Sequence, residues 1–154
     1  MSKLYRSLPS QPYQVINMII SAGIILIKDG SILLLRNRKG HIDFPKGHVE
    51  EGESILEAAI REFKEETGLS DKDIYIIPGK EYVMEYPVLE KGEIQNKRVI
   101  LFLAKYVGKD EVKISKEHSE YKWAPLDEKL EKDLKYPEQK NIIKQLLKDI
   151  QEIK

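Results

Sequence analysis

Apolar positions along the chain follow two different periods. Residues 18–27 form a nearly unbroken apolar run rich in β-branched isoleucine, the pattern of a buried strand. Asp29-Gly30 suits a two-residue hairpin turn, and residues 31–36 read as a second strand. Residues 37–52 carry Gly40, Pro45, Gly47 and Gly52 and read as a loop. A helical period then sets in over residues 54–67. Leu56, Ala59, Ile60 and Phe63 fall on one apolar stripe, Ser54 and Glu57 have the spacing of a capping box, and Gly68 supplies a stop. Further strands are expected at 73–77, 81–88 and 98–107, with a short one at 121–125. Residues 139–153 read as a closing amphipathic helix with Ile142, Ile143, Leu146, Leu147, Ile150 and Ile153 turned inward. The expected fold class is α/β, a mixed β-sheet between helices. No repeat, low-complexity block or Gly/Ser/Pro linker divides the 154 residues, so a single domain over 1–154 is expected.

Composition narrows the partners. Lys+Arg 26 balances Asp+Glu 26, which gives no general attraction to DNA or to an anionic membrane. The absence of cysteine excludes disulfides and thiolate metal sites. The longest apolar stretch, residues 15–27, is interrupted by Asn17 and Ser21 and falls short of the ~18–20 residues of a spanning helix. Residues 1–13 lack the apolar core of a signal peptide. A soluble, cytoplasmic protein without DNA or membrane partners is the expectation.

One segment departs sharply from that neutral background. Between Gly47 and Gly68 stand Glu50, Glu51, Glu53, Glu57, Glu62, Glu65 and Glu66 against only Arg61 and Lys64. Glu62, Glu65 and Glu66 share one helix face, where exposed like charges repel by roughly 0.2–0.5 kcal/mol per pair. They also fall near the helix C-terminus, whose dipole disfavours anions. A hard cation such as Mg²⁺, with Mn²⁺ as an alternative, would neutralise such an all-oxygen cluster. The competing reading is a solvated acidic face with Arg61 paired to Glu65.

The residues around the cluster decide between the two. Gly47, five residues, Glu53, seven residues, Arg61-Glu62, Phe63, Lys64, Glu65-Glu66, Thr67 and Gly68-Leu69 resemble the complete 23-residue Nudix box. Phe63 is the one departure, standing where that family usually has Ile, Leu or Val. The resemblance implies a Nudix fold and a catalytic loop–helix–loop that holds divalent metal against a diphosphate. By the same resemblance the main-chain carbonyl of Lys46 and the side chains of Glu62, Glu65 and Glu66 face the metal, with Glu53 assisting. Arg61 then holds carboxylates in place.

Outside the box, three features resemble the asymmetric diadenosine tetraphosphate hydrolases of that family. The loop His41-Ile42-Asp43-Phe44-Pro45-Lys46-Gly47-His48 has a His five residues before the Lys, which implies polyphosphate binding by His41 and Lys46. Glu117-His118-Ser119-Glu120-Tyr121-Lys122-Trp123 is similar to a segment whose Glu reaches the metal centre, making Glu117 a further ligand or the general base. Tyr136, before the last helix, and Tyr86, 17 residues beyond Leu69, are placed to stack on adenine. Leu101 stands where some of these hydrolases carry a pocket Tyr. Lys97, with Lys91 and Arg98, flanks the expected loop 90–96 and is a candidate for distal phosphates. The implied substrate is a dinucleoside polyphosphate cut to ATP and AMP. The alternatives are a triphosphorylated or capped RNA 5′ end and, from Pro87, ADP-ribose. A non-catalytic nucleotide sensor is disfavoured because all four core glutamates are present.

Overall fold

A computed structural model describes residues 18–153. The readings placed on residues 1–13 and on the start of the 15–27 stretch lie outside the described residues. Among the described residues, seven strands join into one sheet. The strands are β1 Met18–Lys28, β2 Ser31–Asn37, β3 Ile42–Asp43, β4 Lys46–His48, β5 Ile74–Glu90, β6 Glu93–Tyr106 and β7 His118–Pro125. The helices are α1 Ile55–Thr67 and α2 Pro137–Ile153.

Asp29 and Gly30 both take positive φ, 49° and 77°, as the tight hairpin turn requires. β1 and β2 leave that turn paired only at Ile27–Ile32 and Lys28–Ser31 and then diverge. β4 fills the gap antiparallel to β1, and β3 lies antiparallel to β2. β1 runs parallel to β6 from Met18–Asn96 to Ile27–Lys105, which makes the sheet mixed. β7 pairs with the outer side of β2, and β5 closes the far edge on β6.

Alternation along β1 divides the core. Ala22, Ile24 and Leu26 face α1 together with Ala58, Ala59 and Phe63. Ile25 faces the other layer, with Leu101 and Leu103 of β6 and Ile142, Ile143 and Leu146 of α2. Tyr82 on β5 ties α2 to the sheet through its hydroxyl, which donates to Asp149 Oδ2 at 2.7 Å. Among the described residues, no helix is long and apolar enough to cross a membrane.

Several boundaries differ from the expectation. The 37–52 loop contains β3 and β4, because the splayed β1 and β2 offer it free backbone partners. The strands expected at 73–77 and 81–88 are one strand, continuous through a register shift between Ile76 and Glu81. The loop expected at 90–96 is the end of a hairpin whose turn is Lys91-Gly92, at φ 52° and 79°. The strand expected at 121–125 begins at His118, and α2 starts at Pro137, whose fixed φ suits a first helical position. Leu56 is exposed, and Ala58 takes its place on the α1 stripe. Ile150 is half-buried, and the side chain of Ile153 lies outside those described.

Phe63 is fully buried between α1 and the sheet. Its departure from the usual aliphatic residue is therefore a packing choice. Phe63→Ala should lower the unfolding free energy by about 3–5 kcal/mol, measured by urea denaturation. A loss below about 1 kcal/mol would contradict the packing described.

Candidate functional site

The site is built where β1 and β2 part. β4 is clamped to β1 by the pairs Ser21–His48, Ala22–Gly47 and Gly23–Lys46. The Ile24 N–H donates to Pro45 O at 3.1 Å, and the Val49 N–H to Ile20 O at 2.9 Å. A Cβ on Gly23 would lie 2.2 Å from Pro45 O, so the absence of a side chain there permits this approach. On its other side the loop meets α1. A Cβ on Gly47 would lie 2.0 Å from Glu62 Oε2, which places that carboxylate directly against bare main chain.

α1 begins with the full capping box. The Glu57 N–H donates to Ser54 Oγ at 3.1 Å, and the Ser54 N–H to Glu57 Oε1 at 2.8 Å, together worth about 1 kcal/mol of helix stability. That start fixes the phase at which Arg61, Glu62, Glu65 and Glu66 emerge. Arg61 is the hub. Its Nε donates to Glu53 Oε2 at 2.6 Å, and its Nη1 to Glu62 Oε1 at 3.0 Å and Glu65 Oε1 at 3.2 Å. Its Nη2 donates to His48 O at 2.9 Å, so one guanidinium ties α1 to the loop. These bonds raise the Arg61 pKa, Glu53 contributing most, and hold Glu53 below the usual carboxylate range.

Glu62, Glu65, Glu66 and Glu117 line one open basin of about 420 Å³ with Lys46, Gly47 and Lys97. Glu66 is 8% exposed, and the Lys46 N–H donates to its Oε1 at 2.9 Å. Burial pushes its pKa up to about 8 against that hydrogen bond, and the neighbouring Glu62 and Glu117 add to the shift. Burial also raises Glu62, in spite of Arg61. Among the described residues no three carboxylate or imidazole groups are drawn to a single point. Two carboxylates with raised pKa, held by a main-chain donor and a guanidinium and facing a basin, fit a hard divalent cation by donor type, since a bound cation favours the ionised form that burial disfavours.

A second cavity of about 760 Å³ adjoins the basin, and Lys97 lines both. Its walls include His41, Tyr86, Pro87 and Tyr136. The His41 and Tyr136 rings meet edge to face, centroids 6.3 Å apart at 88°. Burial raises the Tyr86 pKa and lowers that of Lys97, the latter shift enlarged by the charge on Lys46. Burial opposes the Lys46 charge too, yet Asp43, with Oδ2 at 3.2 Å from its Nζ, leaves its pKa above the lysine value. The structure brings Glu62, Glu65, Glu66, Glu117 and Lys46 to the basin, His41, Tyr86 and Tyr136 to the cleft and Lys97 to both, while Glu53 reaches the site only through Arg61.

Other residues fall elsewhere. Leu101 is fully buried in the α2-side core and has no place in the cleft. Arg98 pairs with Glu85 at 3.1 Å, and Lys91 sits in the hairpin turn, so neither lines basin or cleft. Trp123 packs against the α1-side core and Tyr121 is exposed. Three supporting residues escaped the sequence reading. Asn37 Oδ1 accepts the N–H groups of Lys39 and His41, each at 2.9 Å, an arrangement signalled by Asn three residues before Gly40. Asp43 pairs with Lys46 at i, i+3. His118 lies behind Glu66, its Nε2 4.0 Å from Oε2 and its Nδ1 3.2 Å from Ser115 Oγ.

A family model described as NUDIX domain matches residues 18–146. An asymmetrical bis(5'-nucleosyl)-tetraphosphatase of Sus scrofa is 43% identical over 99 residues, 62% of this chain and 65% of that protein. The match therefore spans less than two thirds of that relative's length. An RNA pyrophosphohydrolase of Pelagibacter ubique is 29% identical over 118 residues, 68% of this chain and 73% of that protein. The crystal structure of a C. elegans Ap4A hydrolase binary complex superposes with a TM-score of 0.76 at 31% identity, covering 86% of this chain and 97% of that one.

Two outcomes follow from the basin. In the metal-free protein Glu66 keeps its proton up to about pH 8, whereas the unfolded chain releases it near 4.5. The folded state holds the extra proton in that window, so stability falls as pH rises through it. Thermal midpoints of metal-free protein should show a decline that Glu66→Gln removes; identical pH slopes in both proteins would count against the burial argument. Gly47→Ala should reduce turnover roughly 10²-fold by displacing Glu62, with the melting curve still cooperative. Full activity in that variant would show that the contact is dispensable.

Proposed function

The chain belongs to the Nudix family, and on that premise we propose that it hydrolyses a phosphoanhydride bond of a dinucleoside polyphosphate, diadenosine tetraphosphate giving ATP and AMP. The observation that carries this reading is the shared wall at Lys97, which joins an acidic basin suited to polyphosphate chemistry to an aromatic cleft suited to a base. The nature of the relatives agrees with it.

Nudix hydrolases generally use divalent metal ions. Here the all-oxygen donor set favours Mg²⁺, with Mn²⁺ as a replacement. Glu62 and Glu66 would hold it, with Glu65, Glu117 and the main-chain carbonyl of Lys46. When bound, the ion supplies charge neutralisation of the phosphates and acidification of a water. The chain's own groups do the rest. Arg61 holds Glu62 and Glu65 at fixed orientation and touches no substrate. Lys46 and Lys97 place cations beside the phosphate chain, and His41 adds a donor at the cleft. Tyr86 and Tyr136 offer π faces to adenine, worth roughly 1–3 kcal/mol per stacked base in single-strand binders. Water attacks phosphorus, the bridging P–O bond breaks toward the ATP leaving group, and the water proton passes to a carboxylate. Glu117 and Glu65, both exposed on the basin rim, are the groups placed to take it.

A second substrate class has one observation in its favour, the match to an RNA pyrophosphohydrolase. In that reading the basin would take the 5′ phosphates and the cleft the first base, although zero net charge gives little footprint for a long strand.

Incubation with diadenosine tetraphosphate and Mg²⁺ should yield equimolar ATP and AMP. Recovery of two ADP, or no turnover, would overturn the proposal. A higher kcat/KM for triphosphorylated RNA would move the assignment to the second class. Glu66→Gln should lose turnover by roughly 10²–10⁴-fold while remaining folded.

A further inference from the structure

Gln139 lies on the first turn of α2 and is 3% exposed, one of few buried polar side chains among the described residues. Both ends of its amide are engaged. Its Oε1 accepts the N–H of Tyr136 at 3.4 Å, and its Nε2 donates to the carbonyl of Ile42 at 3.0 Å. The first bond is the reach of a third helical residue back to the N-cap main chain, half of a capping box. The Tyr136 hydroxyl, at the far end of its ring, does not return it, and the Tyr136 carbonyl opens the helix by accepting the Lys140 N–H at 3.1 Å. Helix capping accounts for one half of the amide. It does not account for the other half, which crosses 97 positions of sequence to the residue beside His41.

We propose that Gln139 is a positioning residue for base recognition: its amide locks the Tyr136 main chain to the Ile42 main chain and so sets the edge-to-face pair of Tyr136 and His41 that walls the cleft. This rests on the reading of that cleft as the nucleobase site. On the far side, Asn37 Oδ1 holds the His41 N–H at 2.9 Å. The His41–Ile42 segment is therefore held by Asn37 from the sheet and by Gln139 from α2. Removing the amide leaves the Tyr136 N–H and the Ile42 carbonyl short of a partner in a partly buried place, and the two rings lose their common reference. The acidic basin shares none of these bonds, so the effect is confined to ligands that carry a base.

The test is calorimetric binding of adenosine 5′-tetraphosphate and of inorganic tetrapolyphosphate to the full chain with Ca²⁺ in place of Mg²⁺, each ligand checked to be intact after the titration. Gln139→Met keeps the side-chain volume and removes both bonds. It should weaken the nucleotide about tenfold, because binding must then order the two rings that the amide otherwise holds, and leave tetrapolyphosphate unchanged. In a Tyr136→Ala background the same substitution should have no further effect on the nucleotide, because the two act through one contact. Gln139→Glu keeps the acceptor for Tyr136 and loses the donor to Ile42. It should also weaken the nucleotide alone, and it carries the test if the Met variant folds poorly. Equal weakening of both ligands, or no change in either, would overturn the proposal while leaving the cleft reading in place. A wild-type protein that binds tetrapolyphosphate as tightly as the nucleotide would instead overturn the cleft reading, and this proposal with it.

Discussion

Burial of Glu62 and Glu66 beside one another is the constraint around which this fold is arranged. Carboxylates drawn out of water lose solvation, which raises both pKa values; Glu62 adds to the shift of Glu66, and Glu65 and Glu117 add to that of Glu62. Glu62 and Glu66 remain in place because three features hold them. The Lys46 N–H grips Glu66, Arg61 grips Glu62, and Gly47 leaves room for the Glu62 carboxylate against the main chain. The Lys46 and Gly47 contacts depend on the splaying of β1 from β2, which admits β4 to the sheet and brings the loop under α1, whereas the Arg61 contact is made within α1. The arrangement holds the donor oxygens in place while burial disfavours their charge, so a cation that binds them completes the site and displaces the retained proton.

The two halves of the site are made in different ways. The basin comes from a contiguous stretch of chain, residues 46–66, closed by Glu117 and Lys97. The cleft is assembled from remote segments: His41 on the loop, Tyr86 and Lys97 facing each other across β5 and β6, and Tyr136 ahead of α2. A contiguous motif gives the same chemistry wherever it occurs. An assembled cleft varies with loop length and helix placement, so substrate choice resides there.

This division governs how much was legible in the sequence. The capping box of Ser54 and Glu57, the phase of Glu62, Glu65 and Glu66, and the turn at Asp29-Gly30 were readable because local spacing determines them. The Lys91-Gly92 turn was not, since Lys seldom signals a positive φ. Leu56 fitted the helical period as well as Ala58 did, and only the position of β1 decides which of them is covered. β3 and β4 exist because other strands diverge, a non-local cause. His41, Tyr86 and Tyr136 could be named one by one from family resemblance. Gln139 resembled any polar residue of an amphipathic helix until burial and two hydrogen bonds set it apart.

The central claim is that the Glu62–Glu66 pair is a cation site prepared by the protein. The most direct measurement is an anomalous difference map from crystals soaked in Mn²⁺. The account predicts a peak within coordination distance of both Glu62 and Glu66. A basin without a peak at full soak, or a peak that touches neither carboxylate, would contradict it.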